Sequence, residues 1–190
     1  LASWTPSRAG DSDYRELTVT LEVGARVVYP VHGVVEVVGH ERRTVDGVTS
    51  TYVVLSAPGE ILSDNLRLVV PEDRLEELGV RDPVSAEDAV EVLALLAARN
   101  VRVPSTWSRR FKNHKDKLRT GDVFACAEVV RNLALRQHDK PLAPAETTMY
   151  RSARHGLVSE LAVAWGISDD DASRRIDRAL EPGTGSAAWS

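Results

Sequence analysis

The 190-residue chain holds one cysteine, one methionine and two phenylalanines, and aromatic residues make up 5% of it. A lone cysteine, Cys126, excludes an internal disulfide and a zinc site built on several thiolates. No apolar run approaches the roughly 18–20 residues of a membrane-spanning helix. The five histidines stand singly at positions 32, 40, 114, 138 and 155. HExxH, GxSxG and GxGxxG patterns are absent, as is a phosphate-cradling glycine loop. The first residues show no basic stretch leading into an apolar core, so no secretory signal is read there. One thiol and no signal make a reducing, cytoplasmic setting the expectation. Neither enzyme chemistry, a metal nor a cofactor is expected.

What is present is ordinary globular composition, 27% charged and 43% hydrophobic, enough for one large domain or two small ones. The net charge of −4 conceals a pattern. Residues 102–119 carry seven of the 24 basic residues against one acidic residue. An acidic chain with one basic island touches a polyanion at one place rather than everywhere.

The periodicity divides the chain. Arg26 to Tyr29 and Val34 to Val38 read as valine-rich strands separated by a Pro30-to-Gly33 turn. Asp46-Gly47, between Thr44-Val45 and Thr51 to Leu55, suits a tight hairpin because glycine tolerates positive φ. Leu66 to Val70 is a further strand stopped by Pro71, and Thr18 to Val23 could add an edge strand. Short strands without intervening helix suggest a small antiparallel barrel or strongly bent sheet. From Ser85 the period becomes helical. Ser85 caps a helix with Val90, Leu93 and Ala97 along it, and Asn100 to Pro104 breaks it. Residues 106–119 form a basic helix ended by Thr120-Gly121. Asp122 caps a helix with Val123, Cys126, Ala127, Val130 and Leu133 in a stripe. Another runs from about Ala145 to Trp165 with Gly166 as its stop. Ser168 and Asp171 cap a last helix carrying Ile176 and Leu180. The fold class expected is α+β, with residues 1–21 a flexible extension, 22–82 the β-rich unit, 83–181 a bundle of about five helices, and 182–190 a flexible tail.

Several candidates read as structure. Asp169, Asp170 and Asp171 are acids in a helix's first turn, where the dipole favours them, rather than a metal site. Cys126 lies on an apolar stripe and reads as an inert buried thiol. The informative segment is Thr106 to Arg119. On a helix, Trp107, Arg110, Phe111 and His114 share one side. Trp107 falls in the first turn, where it can project past the helix end. A flat apolar group flanked by Arg109, Arg110, Lys112 and Lys115 has the chemistry of a minor-groove wedge with cations on phosphates. The other reading, favoured on these residues alone, makes Trp107 a core anchor and the charges a solvated face. In the first half, Arg42 and Arg43 before the hairpin and Arg67 in the last strand could select a protein partner along an exposed strand.

These residues also carry a family resemblance. Val28-Tyr29-Pro30-Val31-His32-Gly33-Val34, Tyr52-Val53-Val54-Leu55, Val70-Pro71 and Gly79-Val80-Arg81 resemble the CarD/CdnL family of bacterial transcription regulators. So do Trp107-Ser108-Arg109-Arg110-Phe111-Lys112, Gly121-Asp122, Ala127-Glu128-Val129-Val130-Arg131 and Leu157-Val158-Ser159-Glu160-Leu161-Ala162. The wording around Trp107 is similar to actinobacterial members, and the likeness spans about residues 22–181.

The resemblance implies a Tudor-like N-terminal barrel that binds the β subunit of RNA polymerase, as in transcription-repair coupling factor. It also implies a helical domain that meets promoter DNA at the upstream edge of the transcription bubble. Trp107 matches the family's wedging tryptophan, Arg109 and Lys112 the basic positions beside it, and Arg43 a polymerase-contacting arginine. There are departures. Residues 1–21 precede the usual start, and Ala57 to Leu66 runs longer than in close relatives. Val69 stands where some relatives carry a polymerase-contacting arginine; Arg67, two residues earlier on the same strand face, is the candidate substitute. The expectation is a monomeric, polymerase-bound stabiliser of the open promoter complex. Two rivals stay open: a divergent adaptor that recruits another protein without acting on melting, and a nucleic-acid enzyme, which would need carboxylates beside Arg109.

Overall fold

In the computed structural model, residues 21–30, 32–45, 47–57, 66–99 and 106–181 are described. Four strands form one antiparallel sheet in the order β1 (Arg26–Tyr29), β2 (Gly33–Val45), β3 (Val48–Ala57) and β4 (Leu66–Pro71). Five helices follow: α1 (Ala86–Ala97), α2 (Trp107–Arg119), α3 (Val123–Asp139), α4 (Pro144–Trp165) and α5 (Asp169–Leu180). The layout is the expected α+β, a half-barrel followed by a helical bundle. The expected flexible ends at 1–20 and 182–190, residues 18–20 of the proposed edge strand, the Asn100-to-Pro104 break and nearly all of the long Ala57-to-Leu66 stretch lie outside the described residues. Residues 21–23 are not strand.

The sheet follows from its β-branched residues. Val27, Val35, Val37, Val53, Leu55 and Val70 form one side and, with Leu75, its core. β2 is longer than its valine run because polar residues 39–44 still find ladder partners along β3. The register shifts between Val37 and Gly39, a bulge that bends the long hairpin. Val45 faces Val48 across the two-residue turn, with Gly47 at φ +79°. β1 and β4 are not paired with each other among the described residues. Instead Arg81 bridges to Val28 on the outer edge of β1.

The helices start where side chains satisfy free amides. Ser85 Oγ accepts from the Asp88 amide at 3.0 Å, Asp122 Oδ1 from Phe124 at 3.0 Å, and Ser168 Oγ from Asp171 at 3.1 Å. In α1 the buried face is Ala89, Val92, Leu93 and Leu96, and Val90 is half exposed. Of the apolar positions expected along this helix, Leu93 lies on the buried face and Val90 does not. A stripe centred on Ala89 and Leu96 turns Val92, Leu93 and Leu96 inward together and buries more apolar surface. α4 is the central helix, packing on α1, α3, α5 and β2. Its contact with β2 is close: a Cβ on Gly33 would lie 2.7 Å from Ser159 Oγ and 3.1 Å from Gly156 Cα. There Ser159 Oγ accepts from the Val34 amide at 3.2 Å.

Candidate nucleic-acid and protein interfaces

α2 is two-sided. On its inner side, Arg110 and His114 are buried, at 2% and 0% exposure. Arg110 Nε and Nη2 both donate to Glu146 Oε1, at 2.9 and 2.8 Å. Glu146 sits in the first turn of α4, and its other oxygen accepts from the Ala143 amide at 3.2 Å and lies 3.6 Å from Arg136 Nε. Burial pushes the Glu146 carboxyl up. Hydrogen bonds from Arg110 and the Ala143 amide, with the charges of Arg110 and Arg136, outweigh that and hold it below its usual range. Arg110 thus departs from the expected DNA-facing set. Its guanidinium is buried and committed to the Glu146 carboxylate.

His114, one turn on, has no hydrogen-bond partner for either ring nitrogen among the described residues. Burial first, then the charges of Arg110 and Lys117, push its pKa down to about 4 against the opposing pull of Glu146. It is neutral at pH 7. Lys117 is paired with Glu128 of α3.

The outer side carries the free charge. Arg109, Lys112, Lys115 and Arg119 are exposed and form no ion pair among the described residues. Lys112, Lys115 and Arg119 follow one another at i, i+3, i+7, so they form a single stripe, with exposed Asp116 and then Arg109 on its flank. Arg119 is the member of this stripe that the candidate set omits; the same helical spacing would have found it. Trp107 lies at the N-terminal end, 48% exposed, with its indole stacked on Phe111 at 5.3 Å and 16°. Phe111 is the platform that keeps the indole at the rim. Thr106 makes no side-chain cap, so the first amides of α2 are not covered by it.

In the sheet, pairing decides which side chains share a face. Arg43 faces Ser50, Glu41 faces Tyr52, Tyr52 faces Pro71, Val54 faces Val69 and Ser56 faces Arg67. Alternation along β3 places Arg43, Glu41, Tyr52, Val69 and Arg67 on one side of the sheet and Arg42 on the other. Arg43 donates to Glu41 Oε2 from Nη2 at 2.7 Å and from Nε at 3.2 Å, and its guanidinium lies 5.2 Å from the Tyr52 ring. Arg67 is exposed and shares Val69's face. It is six residue pairs from Arg43 along β3, about 20 Å, and Val69 is four.

The remaining candidates take structural places. Asp169, Asp170 and Asp171 occupy the first turn of α5, where Asp171 pairs with Arg174. The Cys126 thiol donates to the Ala153 carbonyl at 3.4 Å, and burial, then the charge of Glu160, pushes its pKa up to about 12. Trp165 is partly buried, with the Arg175 guanidinium 4.8 Å from its ring.

Comparison with known proteins agrees with both halves. Residues 21–84 match the CarD-like/TRCF RID domain, and residues 91–177 match the CarD C-terminal domain. A Bacillus subtilis (strain 168) protein named "Putative transcription factor YdeB" is 25% identical over 150 residues, which is 78% of this chain and 94% of that protein. With a RID domain, the type that implies RNA polymerase interaction, followed in order by the CarD C-terminal domain, the chain belongs to the CarD-like family of transcription regulators.

Proposed function

We propose that this protein is a non-enzymatic, monomeric clamp on initiating RNA polymerase. The β-rich unit, residues 22–82, grips the β subunit through Arg43 on the Tyr52 face, with Arg67 on the same face and Arg42 at the hairpin. The helical unit, residues 83–181, brings Trp107 to the upstream edge of the transcription bubble. There the indole wedges into the minor groove while Arg109, Lys112 and Lys115 hold phosphates. The observation that carries this reading is a half-exposed indole at the N-terminal end of a helix whose outer side holds four cations, unpaired among the described residues, against one carboxylate, Asp116. Its site of action is the cytoplasm, on the nucleoid through polymerase. No helix among the described residues is long and apolar enough to cross a membrane.

The wedge works by preference. It lengthens the life of the open complex only because it binds distorted, opened DNA better than closed duplex. A difference of about 1.4 kcal/mol shifts that equilibrium tenfold, within reach of one aromatic group and a few phosphate contacts. Tethering to polymerase makes the DNA contact intramolecular, so a small basic face is enough on an acidic protein. The minor groove's degenerate code leaves little sequence specificity. The test is open-complex lifetime on a promoter with an unstable bubble. Trp107→Ala should return the lifetime to that of polymerase alone while polymerase capture is unchanged. A lifetime equal to wild type would overturn the wedge.

A further inference from the structure

The sheet and the helical bundle meet at few points. Between the Tyr29–Pro30 end of the sheet, Phe111 and Leu118 of α2, and Met149 of α4 lies a mostly apolar cleft of about 480 Å3. Beside this cleft the Pro30 ring meets the end of α2, where a Cβ on Gly121 would lie 3.1 Å from Pro30 Cγ. Arg81 and Glu160 line the same cleft. The backbone of Arg81 belongs to the sheet: the Val28 amide donates to its carbonyl at 2.7 Å and its amide donates to the Val28 carbonyl at 3.2 Å. Its guanidinium belongs to the helices. Nη1 and Nη2 donate to the two Glu160 oxygens at 2.6 and 3.0 Å, and Nε and Nη2 donate to the Gly121 carbonyl at 3.0 and 2.8 Å. Glu160 is on α4. Gly121, at φ +69°, follows Thr120, the residue that caps α2.

One side chain therefore ties the edge of the sheet to the end of α2 and to the C-terminal half of α4. The fork geometry is the one for which arginine has no substitute, two parallel bonds to a carboxylate. Glu160 Oε1 also accepts from the Val84 amide at 3.2 Å, so the connection between the halves is fastened at the same place. The Ser159–Val34 bond and the Gly33–Gly156 approach supply a second point of attachment. On α4 the two attachments fall on the adjacent residues Ser159 and Glu160, and only the Arg81 fork continues through Gly121 to the end of α2.

We propose that Arg81 is a positioning residue that sets the angle between the polymerase-facing sheet and α2, so that a docked sheet delivers Trp107 to one place on the DNA. This rests on the clamp reading above. A tether raises effective concentration most when its geometry matches the span between the two sites, and a loose junction spreads the indole over a larger volume.

The experiment uses the full chain with spin labels at two exposed positions, Val48→Cys in the hairpin and Asp116→Cys on α2. The distance distribution should be narrow with Arg81 and broad in Arg81→Ala. In unlabelled protein, Arg81→Ala should leave polymerase capture, and binding to forked DNA without polymerase, within twofold of wild type, and reduce the open-complex lifetime gain roughly tenfold. Trp107→Ala, run in parallel, should lose both forked-DNA binding and lifetime with an unchanged distance distribution.

A narrow distribution in Arg81→Ala overturns the proposal. So does a broad one with a wild-type lifetime, in which case the clamp stands if Trp107→Ala still shortens it. Loss of capture or of forked-DNA binding in Arg81→Ala also overturns it, since that is structural damage. If neither variant alters lifetime, the clamp reading itself falls and the positioning role with it. Should Arg81→Ala fail to fold, Arg81→Lys keeps the charge, loses the fork and is judged by the same outcomes.

Discussion

Arg110 and Lys112 are two positions apart in one basic run and have opposite environments. Their identities do not separate them. What does is Glu146, 36 residues after Arg110, whose carboxylate waits inside the bundle. A local charge pattern cannot show which cation meets a distant buried anion, so Arg110 is legible only in three dimensions. The two residues should respond differently to truncation. Arg110→Ala leaves Glu146 buried without its partner and should cost about 3–5 kcal/mol of stability, measured by urea denaturation. Lys112→Ala should leave stability within about 0.5 kcal/mol and lower the salt dependence of forked-DNA binding by about one unit of log–log slope. His114 adds a pH dependence. The unfolded chain takes up its proton as pH falls below 6.5, whereas the folded protein holds it off until about 4. Stability conferred by the neutral ring is thus present above pH 6.5 and lost toward pH 4, about 2 kcal/mol of it between 7.5 and 5. Unfolding free energies from urea denaturation at pH 7.5 and 5 should differ by that much more in wild type than in His114→Leu.

Elements were easier to read than the faces they present. Three helix starts are written in Ser85, Asp122 and Ser168, because a cap is satisfied within three residues and needs no tertiary information. The hairpin at Gly47 is local in the same way. The α1 face was not, since Val90 and Val92 are equally apolar and only the packing of α3 and α5 chooses between them. Glycines make the distinction testable. Gly47 and Gly33 both have positive φ, +79° and +73°. A Cβ at Gly47 meets nothing within 4 Å, whereas at Gly33 it meets Ser159 and the backbone of α4. Gly47→Ala should cost about 1–2 kcal/mol, the conformational penalty alone. Gly33→Ala should cost more, by about 1–3 kcal/mol of overpacking. Thermal unfolding of the two variants side by side measures the difference.

For the molecule as a whole, charge is divided as the two proposed partners require. The chain is acidic overall, yet its outer α2 face is mostly cation, unpaired among the described residues, and Arg43 stands on a sheet face with Glu41 and Tyr52. Arg43→Glu should weaken capture by polymerase at least tenfold and leave forked-DNA binding by the free protein unchanged. Pull-down on immobilised polymerase checks the first, and fluorescence anisotropy the second. The two-unit plan and the wedge candidate were visible in the sequence because each is a contiguous pattern. The tie between the halves was not, because Arg81 and Glu160 stand 79 residues apart and neither looks unusual in its own segment. Cys126 has a practical consequence at this scale. A thiol whose pKa lies near 12 is almost entirely protonated at neutral pH, and it is the sole sulfhydryl in the chain. A maleimide dye should therefore react far more slowly with half-buried Cys126 than with a cysteine engineered on the surface, a contrast that mass spectrometry of dye-treated wild-type protein would check and that would make the native sequence a quiet background for single-molecule labelling.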